Sequence, residues 1–105
     1  MVNTRVKGRN TEKRAERELI ADGWLVYLVK GTTKFNKNVD IFSMFDLVAI
    51  KGNKVRFSQI KTNSTGGVLK KIIKFGEEHK SDNLSFELWV WYDNKGWKKY
   101  GERKD

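Results

Sequence analysis

The sequence FDLVAIKGNKVRFSQIK, residues 45–61, predicts a β-hairpin from which the rest of the fold can be worked out. Gly52-Asn53 is typical of a tight turn between two antiparallel strands. On either side of it, Phe45–Ile50 and Lys54–Lys61 have the composition and the alternation of β-strands. Because successive side chains of a strand point to opposite faces, the register across this turn decides which polar residues meet.

The register predicted from the turn brings Asp46 close to the end of the second strand. Counting outward, Asp46 pairs near Gln59, and Lys61 lies two residues further on the same face. Carboxylate, amide and backbone carbonyl oxygens, such as that of Ile60, are ligands that suit Mg²⁺ or Mn²⁺. The alternative is an ordinary salt bridge between Asp46 and Lys61 across the hairpin. The other predicted pairs are Ile50 with Val55 and Val48 with Phe57.

Two helices and further strands complete the predicted domain. Asn10 or Thr11 can cap a first helix that runs to about Asp22, and Gly23 ends it. The element order α-β-β-β-α-β-β predicts an α/β fold, a mixed sheet flanked by helices. We expect one domain, residues 1–105, with residues 1–10 as a mobile basic arm. The remaining elements are a strand Trp24–Val29, a loop Gly31–Phe42, a helix from about Val68 to His79, a strand Phe86–Tyr92 and a short strand near Trp97–Tyr100.

Glu16 lies within the apolar stripe of the first predicted helix, between the angular positions of Leu19 and Ile20. An unpaired carboxylate on that face is costly, so a metal ion or a lysine is the expected partner. The alternative is a position at the rim of the helix, where Glu16 reaches water or a neighbouring arginine. Glu16 is therefore a candidate to reach the Asp46 cluster from above the sheet.

The charge of the chain favours a polyanionic partner. Twenty-two Lys and Arg against 13 Asp and Glu give a net charge of +9. Each phosphate that such a surface neutralises releases counterions, so a nucleic acid is favoured over a merely basic protein. The absence of cysteine excludes disulfides, thiolate metal sites and cysteine nucleophiles. Since no segment resembles a signal peptide or a membrane span, we expect a cytoplasmic, intracellular protein.

Three segments resemble the PD-(D/E)XK nuclease superfamily: Ala15–Ile20 (AERELI), Phe45–Ile50 (FDLVAI) and Gln59-Ile60-Lys61 (QIK). Within it, the chain is most similar to archaeal Holliday junction resolvases and related small phage-type nucleases, from Lys7 to about Phe75. The resemblance implies a restriction-endonuclease-like core and Mg²⁺-dependent hydrolysis of branched or structured DNA, with Mn²⁺ as a substitute. It also implies a homodimer, and it is compatible with a phage or viral origin.

The superfamily pattern assigns a role to each residue of the predicted site. Glu16 and Asp46 would bind the metal, Gln59 takes the second acidic position, and Lys61 is the catalytic lysine. The lysine would orient the attacking water or stabilise the transition state. Gln59 departs from the pattern, because an amide offers a carbonyl oxygen without negative charge. A non-catalytic DNA-binding protein on a nuclease fold is therefore the alternative function, and a basic interaction domain is a third.

Several residues outside this cluster are further candidates. The segment Thr32–Phe45 is longer than the resolvase loop, and Asp40 within it is either a second carboxylate near the site or a solvated loop residue. Phe45 precedes Asp46 at the position that proline has in the PD-(D/E)XK motif. His79 is expected to be exposed and uninvolved. Trp89, Trp91 and Trp97 could stack on bases, although a place in the core or at a dimer surface is favoured. The candidate phosphate contacts, whose alternative is a solvated surface or a flexible turn, are Arg5, Lys7, Arg9, Ser64, Thr65, Lys70, Lys71 and Lys74.

Overall fold

The computed structural model describes residues 4–29 and 40–102, and of residues 4 and 5 it describes only the backbone. Most of the predicted loop, residues 31–39, and the first three residues of the predicted arm lie outside this part. The predicted element order is confirmed. The elements are α1 (Thr4–Ala21), β1 (Leu25–Leu28), β2 (Leu47–Lys51), β3 (Lys54–Thr62), α2 (Leu69–Glu78), β4 (Leu84–Tyr92) and β5 (Gly96–Tyr100).

The five strands form one mixed sheet in the order β1-β2-β3-β4-β5. Strands β3 and β4 are parallel and are connected through α2, and the other neighbours are antiparallel. The predicted hairpin register is confirmed, because Ile50 pairs with Val55 and Val48 pairs with Phe57. Since parallel strands run in the same direction, β3 and β4 end at the same edge of the sheet, at Thr62 and Tyr92.

The two helices lie on opposite faces of the sheet. On the α1 face, Ala15 and Leu19 pack against strand residues that include Ile60 and Trp89. On the other face, Ile72 of α2 packs with Phe45, Phe86, Leu88 and Val90. Because side chains alternate along a strand, Gln59 and Lys61 lie on the α2 face, beside their β4 partners Leu88 and Val90. Neither helix of the described part has the length and apolar character needed to cross a membrane.

The predicted helix start at Asn10 or Thr11 is wrong, because α1 already begins at Thr4 and residues 4–10 of the predicted arm are helical. Thr11 does not cap the helix; its hydroxyl donates to the carbonyl of Lys7 one turn earlier, inside the helix. Lys7 in turn forms an ion pair with Asp93 at the end of β4. Contacts with a distant part of the chain therefore hold the residues that the sequence, with Gly8 among them, predicts to be mobile.

Candidate active site at the ends of β2 and β3

Asp46 lies one residue before β2 and is bound to β3 through both its backbone and its side chain. Its N–H donates to the carbonyl of Ser58 at 2.9 Å. Its Oδ2 accepts from the backbone N–H of Ile60, also at 2.9 Å. The regular pairing of β2 and β3 ends at Leu47 and Ser58. Asp46 is therefore not the ladder partner of Gln59, as the count from the turn predicts, but its carboxylate is held beside the Gln59-Ile60 segment.

The side chain of Gln59 carries a buried acceptor. Its Oε1 atom is inaccessible to solvent and has no hydrogen-bond partner among the described residues. Leaving a buried carbonyl oxygen unpaired is costly, so most such atoms in folded proteins have a partner. A cation is one partner that an amide oxygen accepts. The role of the Ile60 carbonyl as a ligand stays a prediction, since the described bond of Ile60 to Asp46 is made by its N–H.

Lys61 lies on the same face of β3 and is half-buried. Its positive charge acts on Asp46 and lowers the pKa of that carboxyl, less strongly than the backbone hydrogen bond from Ile60 does. The side chain also runs against the turn before α2. A Cβ atom at Gly66 would lie 3.0 Å from Cε of Lys61 and 3.1 Å from Nζ. Because Gly66 has no side chain, the turn can close over Lys61, and the structure thus brings Asp46, Gln59 and Lys61 together.

The helix carboxylate of this cluster is Glu12, which the sequence pattern did not indicate. Burial is the largest cause that raises the pKa of Asp46, to about 7, and the negative charges of Asp40 and Glu12 add to it. Burial likewise raises the pKa of Glu12, and the charge of Asp40 adds to that effect. Glu16 is not among the described charges that shift Asp46. The middle of α1, at Glu12, and not its C-terminal half, therefore lies beside Asp46.

The early start of α1 explains why Glu12 was missed. With a helix that begins at Asn10 or Thr11, Glu12 falls in the first turn, where an acidic residue looks like a favourable end charge. Once the helix is extended back to Thr4, Thr11, Ala15 and Leu19 form the buried stripe at a spacing of four residues. Glu12 then flanks that stripe. Glu16 lies one turn further towards the C-terminus of α1, half-buried.

Arg9 is engaged inside this cluster. Its Nη1 donates to Oε1 of Glu12 at 3.0 Å and to the carbonyl of Val29 at 2.8 Å. The N–H of Val29 donates to the carbonyl of Asp46 at 2.8 Å. Arg9 therefore connects the helix carboxylate to the strand segment that carries Asp46. The structure favours this role over the predicted phosphate contact.

Asp40 is exposed, yet its charge acts on both Asp46 and Glu12. The tight turn that follows it helps to place it there. Ile41 and Phe45 form an isolated antiparallel bridge, and Phe42 and Ser43 between them have positive φ values of 54° and 58°. Asp40 is therefore a solvent-exposed loop residue whose carboxylate also lies near the site. The two alternatives given for it above are not exclusive.

The donor set of the cluster is mixed. Within residues 4–29 and 40–102, no three His, Cys, Asp or Glu side chains form a group that could hold a metal ion. A divalent cation would need other oxygens beside the carboxylate of Asp46. The unpaired Oε1 of Gln59 is such an oxygen, and Mg²⁺ commonly keeps several water ligands in addition to one or two carboxylates. The residues present thus fit Mg²⁺ or Mn²⁺, with Glu12 as a further carboxylate nearby.

The predicted phosphate contacts have different surroundings. Lys7 is paired with Asp93, and Lys74 lies 3.9 Å from Glu78 on the surface of α2. Trp89 is buried in the core, whereas Trp91 and Trp97 are half-buried and contact each other edge to face. His79 is exposed as predicted and lies against Phe75. The side chain of Arg5 lies outside the described part. The remaining candidates are half-buried Thr65 and exposed Ser64, Lys70 and Lys71.

Comparison with known proteins supports the fold. No protein-family profile matches the chain, and no curated protein matches it significantly. Among solved structures, it is similar to Hjc, a Holliday junction resolvase from the archaeal hyperthermophile Archaeoglobus fulgidus, with a TM-score of 0.57. The chain has the fold of that resolvase. The match covers 94% of this chain and 79% of the other at 18% sequence identity. Membership of the PD-(D/E)XK superfamily, which rests on motifs, stays a prediction.

Proposed function

We propose that this protein is a metal-dependent endonuclease that hydrolyses phosphodiester bonds in branched or structured DNA, such as four-way junctions. The observation that carries the proposal is the juxtaposition of a half-buried carboxylate, an unpaired amide oxygen and a lysine at the ends of β2 and β3. The net charge of +9 supports a polyanionic substrate. The resolvase fold supports DNA junctions as the substrate class.

In this proposal Asp46 and Gln59 hold Mg²⁺ or Mn²⁺, and Glu12 contributes a further negative charge. A bound divalent ion lowers the pKa of a water molecule and neutralises charge on the scissile phosphate. The ammonium of Lys61 faces the same cluster and stabilises the additional negative charge of the pentavalent transition state. Arg9 keeps Glu12 beside the strand that carries Asp46, and the bond from Ile60 fixes the Asp46 carboxylate.

A second candidate function is a non-catalytic DNA-binding protein on the same fold. Gln59 favours it, because a neutral amide binds a divalent cation more weakly than a carboxylate does. It is also favoured by the lack of a three-residue acidic group among the described side chains. The retention of Asp46, Lys61 and Glu12 in one cluster supports catalysis instead, since DNA binding alone has no use for two carboxylates at a phosphate.

Cleavage of a panel of DNA structures distinguishes the two functions. We expect labelled four-way junction, flap or other branched DNA to be cut in Mg²⁺ or Mn²⁺. Asp46→Ala and Lys61→Ala should each slow cleavage by about 100-fold or more and leave DNA binding intact. Lys80→Ala, which removes an exposed lysine beyond the far end of α2, is the matched control and should behave like the wild type.

Two outcomes would count against the proposal. Tight binding without metal-dependent cleavage of any DNA would favour the non-catalytic function. Cleavage that survives Asp46→Ala would leave an enzyme with a different active site. We also expect a homodimer, in which two sites cut opposed strands, and light scattering measures this. An exposed apolar patch at the β1 edge, formed by Leu25, Tyr27 and Ile50, supports such an association.

Arg9 offers a separate test of the site geometry. Because its guanidinium binds Glu12 and the carbonyl of Val29, Arg9→Ala should slow cleavage roughly 10-fold. The salt dependence of DNA binding should stay unchanged, whereas loss of a phosphate contact would reduce the slope of log K against log salt by about one. Fluorescence anisotropy in EDTA measures that slope, and Lys71→Ala on exposed α2 is the comparison variant. A reduced slope for Arg9→Ala would restore Arg9 as a DNA contact.

A further inference from the structure

A groove of about 350 Å³ lies between α1 and the end of β4, on the other flank of α1 from Glu12. Its walls include Lys7, Asn10 and Arg14 from the helix and Trp91 and Asp93 from the strand end. The catalytic cluster described above uses none of these side chains. The groove is open to solvent along the exposed residues Asn10 and Arg14.

The groove combines a stacking surface with polar groups. The guanidinium carbon of Arg14 lies 4.1 Å from the centre of the Trp91 ring, which is half-buried. Asp93 accepts hydrogen bonds from Lys7 and from the side-chain amide of Asn63, and these bonds lower its pKa and keep it ionised. Asn10 adds an exposed amide. A planar aromatic ligand with donors and acceptors on its edge, such as a nucleobase, matches this arrangement.

The groove is adjacent to the catalytic cluster. Thr11, which lines it, directly precedes Glu12 in α1 and lies 3.0 Å, oxygen to oxygen, from Thr62, which directly follows Lys61. Strands β2 and β4 are two strand spacings apart, about 10 Å. A single strand of DNA advances about 3.4 Å per nucleotide when stacked, so no more than about three nucleotides bridge this distance.

We propose that this groove binds one unpaired nucleobase of the DNA strand that occupies the active site, with the base stacked on the exposed face of the Arg14 guanidinium, whose other face lies against Trp91. The proposal rests on the proposed nuclease function and narrows its substrate class. A fully paired duplex keeps its bases stacked inside the helix and offers none to the groove. DNA with unpaired nucleotides within about three positions of the cleaved bond is therefore the preferred substrate.

The test compares a DNA duplex that carries one unpaired 2-aminopurine nucleotide with a fully paired duplex of the same length. Binding is measured in EDTA, so that the readout does not depend on cleavage. We expect the wild type to bind the bulged duplex about 10-fold more tightly and to quench the 2-aminopurine fluorescence by stacking. Arg14→Ala and Trp91→Leu should lose both the preference and the quenching.

Arg17→Ala is the matched control, because Arg17 is an exposed arginine of the same helix that lies outside the groove. Since Trp91 also packs against Trp97, the exposed Arg14 variant keeps the test valid if Trp91→Leu folds poorly. Equal affinity for bulged and paired DNA, or equal effects of Arg14→Ala and Arg17→Ala, would overturn the groove proposal even if cleavage is intact. A bulge preference without cleavage would overturn only the nuclease function, and no binding to any DNA would overturn both.

Discussion

Glu12→Gln is expected to slow DNA cleavage by about 100-fold or more, whereas Glu16→Gln should stay within about threefold of the wild type. The charge of Glu12 acts on Asp46, and its carboxylate is held in place by Arg9 at 3.0 Å. Glutamine keeps an oxygen that accepts from Arg9 but removes the negative charge that favours a divalent cation. The comparison is well matched, because both glutamates are half-buried on α1 and lie one helical turn apart.

Single-turnover rates over a range of Mn²⁺ concentrations provide the measurement. A weaker metal site predicts that added Mn²⁺ recovers part of the rate lost in Glu12→Gln, because mass action compensates for a lower affinity. Folding of both variants can be checked by thermal melting. A larger loss for Glu16→Gln than for Glu12→Gln would restore the assignment that the AERELI motif suggests and reject the site geometry described above.

The hairpin was predictable because its determinants are local. A Gly-Asn turn with apolar residues at alternate positions fixes which residues of β2 and β3 pair, and the observed register agrees with the count from the turn. The same count fails at Asp46, where the ladder ends. The side chain of Asp46 there accepts from the backbone N–H of Ile60, as a backbone carbonyl would in a continued ladder. This use of a side-chain oxygen in place of a backbone carbonyl depends on the rotamer of Asp46. The pattern of apolar residues in the sequence does not predict it.

The N-terminal half of α1 was not predictable, because distant residues stabilise it. Lys7 pairs with Asp93, which is 86 positions away, and Arg9 binds the carbonyl of Val29. Helix propensity at Gly8 and Thr11 opposes this extension, and tertiary contacts outweigh it. The predicted helix start placed Glu12 in the first turn and left Glu16 as the candidate carboxylate of α1. In the structure the helix charge that acts on Asp46 is that of Glu12.

The buried carboxylate of Glu87 gives a second example. The segment FELWVWY predicts a buried strand, yet it does not show that Glu87 would be fully buried. Two hydrogen bonds of 2.9 and 2.8 Å from Arg56 on β3 satisfy it, together with one from Trp89. Arg56 lies on the α1 face of β3, as the alternation of strand residues predicts. Its partner Glu87 belongs to β4, which lies beside β3 only because the chain crosses over through α2.

Asp46→Asn is expected to stabilise the metal-free protein at pH 8 while it abolishes cleavage. Burial, together with the charges of Asp40 and Glu12, raises the pKa of Asp46 from 3.8 to about 7 in the folded protein, against the bond from Ile60 and the charge of Lys61. In the unfolded chain this carboxyl has an ordinary pKa, so the folded state binds a proton that the unfolded state has lost between about pH 4 and pH 7. Stability therefore falls as the pH rises through this window and stays low above it.

An asparagine at this position has no such dependence, and its Oδ1 can still accept from the N–H of Ile60. The rise in pKa corresponds to at most roughly 4 kcal/mol, and a gain of about 2 kcal/mol would raise the Tm by roughly 10 °C. Circular dichroism in EDTA at pH 5 and pH 8 measures the effect, with exposed Asp82→Asn as the control. The same Tm difference from the wild type at both pH values would show that Asp46 is not the titrating group.

Addition of Mg²⁺ or Mn²⁺ should reverse the order of stability at pH 8. A cation that binds only the folded state raises the Tm of the wild type and not that of the asparagine variant, which lacks the charged ligand. In the metal-free protein an ionised Asp46 near Asp40 and Glu12 lowers the stability of the fold, and a bound cation offsets this loss. An Asp46–Lys61 salt bridge predicts the opposite, since removal of a stabilising ion pair would lower the Tm at pH 8 with or without metal.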